Sequence, residues 1–277
     1  MTNQIAFQGA LGAYSDEACR SARPNMKPLP CQNFEEMIEA VREGRADLAM
    51  VPVENSTYGR VADIHRLLPE SGLHIVDETF TRVRISLMAN AKTRLEDVKT
   101  VRAHLVLLPQ ARKFLDQHGI EAISAADSAG AAEELAKSPN PYSGVLASAI
   151  AAKIYGLDIL VQNVEDHGHN TTRFLIMSRE PNYTRRGEGK MMTTIVFQVR
   201  NIPAALYKAM GGFATNGVNM LKLESYMLGA SFTATQFYAD IEGHPEDAHV
   251  KRAFEELEYF SNSLKVLGVY PTDPYRD

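Results

Sequence analysis

Asp47-Leu48-Ala49-Met50-Val51-Pro52-Val53-Glu54-Asn55-Ser56-Thr57 is a mostly apolar run that ends abruptly in polar residues. A run without in–out alternation is the pattern of a strand covered on both faces, as in a parallel sheet. Its polar end then lies at the carboxyl end of the strand, where open α/β sheets place their ligands. A helix precedes it: Asn33 is set to cap, Glu36 to reach back, and Phe34, Met37, Ile38 and Val41 recur at helical spacing until Gly44 stops the pattern. Gly59 and a second helical pattern with Val61, Ile64 and Leu68 follow. His65 falls on the apolar side of that helix and reads as a buried packing histidine.

Outward from this run, strands and helices alternate. Ile5-Ala6-Phe7 reads as a strand and Gln8-Gly9-Ala10-Leu11-Gly12-Ala13 as a tight turn. A helix follows with Ser15 as its expected cap, and its first backbone N–H groups, near Tyr14 and Ser15, suit an anion. His74 to Ala89 reads as one or two strands crossing between lobes. Strands over 100–105, 121–124, 144–147 and 157–161 alternate with helices, two of them alanine-rich. This order implies parallel sheets covered by helices. The last strand of the series starts in His169-Asn170-Thr171-Thr172-Arg173-Phe174, a polar run carrying hydroxyls, an amide and a guanidinium that continues directly into Leu175-Ile176-Met177.

Residues 180–190 are rich in Arg, Gly, Pro and Asn and form the best linker in the chain. Beyond it the order becomes βαββαβ. Thr194–Val199 is a strand, Pro203 opens a helix carrying Leu206, Met210 and Phe213, and Asn216-Gly217 ends it. Val218–Tyr226 and Phe232–Ile241 read as a hairpin, Val250, Ala253, Phe254 and Leu257 mark a helix, and Leu264–Leu267 is the last strand. A ferredoxin-like split βαβ sandwich fits that order.

Composition narrows the function classes. The net charge is −5 and no Lys/Arg block occurs, so a nucleic-acid footprint is lacking. No apolar run approaches a membrane span and the N-terminus has no signal-peptide pattern, so a cytoplasmic chain with no membrane role is expected. Cys19 and Cys31 make neither a disulfide framework nor a four-ligand metal site and read as packed thiols. Asp166, His167 and His169 have metal-ligand chemistry in a pattern common by chance, so no metal is expected.

The pairing of Pro52-Val53-Glu54-Asn55-Ser56-Thr57-Tyr58-Gly59 with Asn170-Thr171-Thr172-Arg173-Phe174, after Gly9…Tyr14-Ser15, resembles the prephenate dehydratase family. Gly217-Val218-Asn219-Met220-Leu221-Lys222-Leu223-Glu224-Ser225 is similar to that family's appended ACT regulatory domain. The resemblance implies a two-lobed catalytic domain over residues 1–180, similar to type II periplasmic binding proteins with the site between the lobes. It also implies a linker over 181–190 and an ACT domain over 191–277 that binds L-phenylalanine as feedback inhibitor. It implies conversion of prephenate to phenylpyruvate, water and carbon dioxide, without metal or organic cofactor. Arogenate dehydratase is the alternative within the class, and a non-catalytic metabolite-sensing protein the alternative outside it.

Carried over by position, the resemblance implies Thr172, Glu54 and Asn55 as catalytic residues. Ser56, Gln110, Arg173, Phe174, Tyr14 and Ser15 become substrate ligands. Arg173 can grip a carboxylate with two parallel hydrogen bonds. Either Thr172, as a positioned donor, or Glu54, as a carboxylic acid, assists departure of the ring hydroxyl. Ala103 and Ala13 stand where the family has hydroxyl residues. Ala205, Leu206, Asn216, Val218, Asn219 and Glu224 are the expected effector residues, although Tyr226-Met227 replaces the family's Arg-Pro. Ferredoxin-like domains expose sheet edges, so a homodimer or homotetramer is expected.

Overall fold

The computed structural model describes residues 2–185, 189–227 and 234–276. The chain forms two compact units, Met1–Val61 with Phe80–Phe174, and Ala62–Thr79 with Leu175–Asp277.

In the first unit, β1 (Gln4–Gln8), α1 (Tyr14–Ala22), β2 (Lys27–Cys31), α2 (Phe34–Arg42) and β3 (Leu48–Asn55) build one lobe. β1 runs parallel to both β2 and β3. Ala49, Met50, Val51 and Val53 of β3 are fully buried, as a strand covered on both faces requires. Asn33 caps α2, its Oδ1 accepting from the Glu36 N–H at 2.8 Å, while Glu36 returns to accept from the Gln32 N–H at 2.7 Å. Ser15 does not cap α1. The helix starts two residues earlier, at Tyr14 with Ala13 in the cap position, and the fully buried Asp16 carboxylate accepts from the Gly12 N–H at 2.8 Å and the Arg20 Nε at 2.8 Å. A charged acceptor inside the first turn satisfies the turn that a serine hydroxyl was expected to hold. Cys19 and Cys31 are buried free thiols. Burial, then the nearby Asp16 and Glu36 carboxylates respectively, raise both thiols above their ordinary range.

β4 (Gly59–Arg60) folds back antiparallel on β3, pairing Glu54 with Arg60 and Asn55 with Gly59. After α3 (Ala62–Leu67) and β5 (His74–Arg82), the second lobe follows. It comprises β6 (Ser86–Ala89), β7 (Thr100–His104), α4 (Arg112–His118), β8 (Glu121–Ala125), α5 (Ser128–Lys137), β9 (Ser143–Ala147), α6 (Ala149–Tyr155) and β10 (Asp158–Val161). Its sheet has the order β10-β6-β9-β7-β8. β7 is parallel to β8 and β9, but β6 is antiparallel to β9 and β10, which corrects the expectation of wholly parallel sheets. Parallel pairing needs a helical crossover between strands, and β6 enters without one, straight from the preceding strand. Ala131, Ala132, Ala151 and Ala152 of the alanine-rich helices are buried with Met88 and Val145, where small side chains let helix and sheet backbones approach. β11 (Thr171–Ser178) then returns beside β3.

The second unit contains β12 (Met191–Val199), α7 (Ala205–Thr215), β13 (Met220–Met227), β14 (Ala234–Glu242), α8 (Ala248–Phe260) and β15 (Ser261–Pro271). The sheet order β13-β14-β12-β15 with antiparallel neighbours is the expected βαββαβ arrangement. The expected strand start at Phe232 lies outside the described residues, and the last strand is longer than its apolar run suggested. α7 and α8 cover one sheet face through a core including Ile195, Phe197, Phe213, Phe237, Val250 and Leu257. On the other face Thr194, Tyr238, Asp240 and Tyr270 are buried, with the Thr194 hydroxyl 2.6 Å from Asp240 Oδ1 and 2.7 Å from the Tyr270 hydroxyl. α3 belongs to this unit. His65 is buried with its ring edge-on to Tyr238 at 5.1 Å and its Nδ1 2.7 Å from the Tyr226 hydroxyl, a packing histidine with one polar partner. β5 joins the same sheet, parallel to β15 at Ile75–Gly268. Among the described residues no helix is long and apolar enough to cross a membrane.

Candidate active site

Within the first unit a cavity of about 510 Å³ opens at the carboxyl ends of β1 and β3 and is closed by residues of the second lobe. Gly12 makes the near wall possible. Its φ is +88°, and a Cβ there would lie 2.9 Å from the Ala151 Cα, so only glycine lets the turn rest on α6. The Ser148 hydroxyl fixes the same turn by donating to the Gly12 carbonyl at 2.6 Å, and the Tyr155 hydroxyl donates to the Leu11 carbonyl at 2.7 Å.

The centre is an amide–hydroxyl network. Asn55 Oδ1 accepts from the Thr57 and Tyr58 N–H groups at 2.9 and 3.0 Å. That fixes which end of the amide points inward, and Asn55 Nδ2 donates to Asn170 Oδ1 at 2.7 Å and to Thr172 Oγ1 at 3.0 Å. Asn170, almost fully buried, donates in turn to Gln110 Oε1 at 2.5 Å, and Gln110 Nε2 donates to the Val106 carbonyl at 2.9 Å. The Tyr58 hydroxyl reaches that same carbonyl at 2.9 Å, joining the β3–β4 turn to the second lobe. Because Thr172 Oγ1 already accepts the Asn55 N–H, its own proton is directed elsewhere, and Thr172 lines the cavity.

Thr172, Asn55, Gln110, Phe174, Tyr14 and Ser15 thus come together around one space. The other expected residues do not. Along β11 successive side chains alternate faces, so Thr172 and Phe174 face the cavity while Arg173 turns away. Arg173 is buried, with its Nη1 3.8 Å from Glu54 Oε2. Both were expected to serve the substrate, Arg173 by gripping a carboxylate and Glu54 as an acid, and neither is among the residues that line the cavity. Ser56 is also turned to structure: its Oγ accepts from the Thr171 N–H at 3.0 Å and donates to the His169 carbonyl at 3.2 Å, tying the loop to β11. Tyr14 lines the cavity with its ring, but its hydroxyl donates to the Arg84 carbonyl at 3.0 Å. Burial, with the Glu17 and Glu165 carboxylates adding to it, holds that phenol well above its ordinary pKa, so it stays a donor.

Sequence reading gave no role to Tyr58 or Arg60 and quoted Asn170 only as part of the polar run, and all three are on the cavity wall together with His104 and Ser128. Asn170 stood beside Thr172 in the polar run, and Gly59, at φ +77°, announced the turn that brings Arg60 back beside Asn55. His104 and Ser128 meet where β7 and α5 converge, the Ser128 hydroxyl accepting from the His104 N–H at 3.0 Å.

In the second unit, Ala205 and Leu206 line a pocket of about 290 Å³ at the start of α7, whereas Asn216, Val218, Asn219 and Glu224 are not on its wall. Asn216 and Val218 lie just past the far end of α7. Asn216 Nδ2 donates to Glu256 Oε1 at 2.9 Å, Asn219 Nδ2 to Glu242 Oε2 at 3.0 Å, and Glu224 Oε1 lies 3.5 Å from Lys222 Nζ. Val218 is buried in the core.

Two α/β lobes enclosing a cavity walled by amides and hydroxyls, with Arg60, His104 and Asp127 also on its wall, define a protein that holds a small polar molecule. The family described as prephenate dehydratase matches residues 5–182. A bifunctional N-acyl-homoserine lactone acylase/prephenate dehydratase of Komagataeibacter europaeus is 51% identical over 98% of this chain and 97% of its own length. Arogenate dehydratase/prephenate dehydratase 1 of Arabidopsis thaliana is 37% identical over 99% of this chain and 73% of its own. The prephenate dehydratase of Arthrobacter aurescens, solved with L-Phe, superposes with a TM-score of 0.87 at 28% identity, covering 97% of this chain and 90% of that one. The chain belongs to the prephenate dehydratase family. It is a carbon–oxygen lyase of phenylalanine biosynthesis that converts prephenate to phenylpyruvate, and the non-catalytic sensor reading is set aside.

Proposed function

We propose that prephenate reacts in the cavity around Asn55 and Thr172, and the 3.0 Å bond between those two side chains is the observation that carries the reading. In the reaction the bond from the ring to its carboxylate breaks and its electron pair enters the ring. The hydroxyl on the opposite ring carbon is expelled, takes a proton and leaves as water. Aromatisation drives the step, so the protein has only to orient the substrate and assist the leaving hydroxyl. Thr172, its lone pair occupied by Asn55, presents its proton to that hydroxyl as a positioned donor. Asn170 and Gln110 hold Asn55 in register, and Phe174 gives the bond being broken a poorly hydrated wall. Ser15 and the first N–H groups of α1 offer neutral or partly positive donors to a carboxylate.

Residues 191–277 are read as an ACT regulatory domain after a linker over 181–190, with 1–180 as the catalytic part. The βαββαβ order and the L-Phe in the Arthrobacter structure support this reading. The expected effector residues lie at opposite ends of α7, an eleven-residue helix spanning about 16 Å. A single phenylalanine reaches both ends only where two copies juxtapose them, which favours a homodimer or homotetramer of regulatory domains. A cytoplasmic location completes the reading.

The test is turnover of the purified chain. Phenylpyruvate should form from prephenate, faster than phenylalanine forms from arogenate, and L-phenylalanine should lower the rate. Absence of phenylpyruvate overturns the reading, and phenylalanine without effect overturns its regulatory half. A second reading takes the other half of the Komagataeibacter name, favoured by identity that runs through 98% of this chain. Release of homoserine lactone from an N-acyl-homoserine lactone by the same preparation is its test.

A further inference from the structure

Arg60 is the only Lys or Arg among the described residues that line the cavity. Its backbone is pinned beside the reacting groups: β4 pairs Arg60 with Glu54 and Gly59 with Asn55, and the Val61 N–H donates to the Val53 carbonyl at 3.0 Å. Arg173, the guanidinium that the motif advertises, is buried on the other face of β11 with Glu54. The substrate brings two carboxylates, the cavity wall already carries the Asp127 carboxylate, and neutral amides alone leave that charge largely uncompensated.

Resting on the reading above, we propose that Arg60 binds the side-chain carboxylate of the substrate, the one that survives in the product. The choice between the two carboxylates follows from the chemistry. The ring carboxylate loses its charge as carbon dioxide departs, so a cation held against it would stabilise the ground state more than the transition state and slow the step. The 2-oxo carboxylate keeps its charge throughout. A guanidinium there binds substrate, transition state and product alike, and it anchors the molecule with the ring toward Thr172. Arginine suits the task because its fork matches a carboxylate with two parallel hydrogen bonds, which lysine cannot do. The hairpin position also explains why one side chain serves both entry and hold: Arg60 is exposed at the rim, where a cation steers an incoming dianion.

The experiment compares wild type with Arg60→Gln and Arg60→Lys, measuring prephenate kinetics and phenylpyruvate as a competitive inhibitor. Arg60→Gln should raise KM for prephenate about 10- to 100-fold, with kcat within about threefold of wild type. The inhibition constant of phenylpyruvate should rise by the same factor, and Arg60→Lys should fall between. A raised KM with an unchanged phenylpyruvate constant overturns the proposal, because the contact would then lie with the departing carboxylate. Unchanged values of both overturn it as well. Direct calorimetric titration of phenylpyruvate onto wild type and Arg60→Gln reads the contact without turnover. A wild-type chain inactive on prephenate would therefore remove the catalytic reading while the titration still decides the role of Arg60.

Discussion

Replacing Thr172 by valine is expected to lower kcat for prephenate by about 10²- to 10⁴-fold, the usual weight of a group that moves or shares a proton in the transition state. Valine keeps the shape and removes the hydroxyl, and it leaves an inward Asn55 N–H without its acceptor. Thr172→Ser keeps the hydroxyl and should stay within about tenfold of wild type, the cost of the lost methyl and looser χ1. KM should move little in either variant, because the hydroxyl acts on the leaving group and not on the retained carboxylate. Equal kcat in the serine and valine variants would sink the assignment. Glu54→Gln serves as the control. Its carboxylate stands by Arg173 and off the cavity wall, so the alkaline limb of the pH–rate profile, the one a general acid would produce, should be unchanged in that variant. Loss of the limb would return the proton to Glu54.

The second large effect concerns stability. Gly268 faces Ile75 where β15 meets β5, and a Cβ at position 268 would stand 2.2 Å from the Ile75 carbonyl oxygen and 2.4 Å from its Cβ. No side chain fits there without displacing backbone, and Ile75 is fully buried. Gly268→Ala should therefore destabilise the chain by about 3 kcal/mol, the upper part of the range for overpacking a core. At roughly 2–4 °C per kcal/mol for a chain of this size, the melting temperature should drop by about 6–12 °C. Valine in place of alanine should prevent recovery of folded protein. An alanine variant that melts with wild type would mean that the two strands part at no cost, contrary to the packing described.

The parts legible in the sequence were those where one segment decides its own fate. The β3 run announced a doubly covered strand by its unbroken apolar content, and Asn33 with Glu36 announced a helix start that the hydrogen bonds reproduce. Asn55 and Thr172 were named through the family resemblance, and each also sits at a polar–apolar boundary of a strand. What the sequence did not reveal was face. Arg173 and Thr172 are neighbours in sequence, and only the pleat of β11 separates the guanidinium from the hydroxyl. Composition does not record which residue of such a pair points inward, since a buried arginine with an acidic partner and a ligand-binding arginine have the same local signature. Ser15 failed for a different reason: a buried acid two positions into the first turn outcompeted it. Gly268 lay just past the run read as the last strand, and its partner, Ile75, is far away in sequence, so nothing local announced their close approach.

The Val106 carbonyl accepts from both Tyr58 and Gln110, and the chain has spent both donors on one oxygen. Tyr58 belongs to the turn after β3 and Gln110 to the second lobe, so one backbone oxygen ties the turn that follows Asn55 to the chain Gln110–Asn170–Asn55–Thr172. Loss of either donor at that oxygen would therefore loosen the turn or the amide chain that sets the direction of the Thr172 proton.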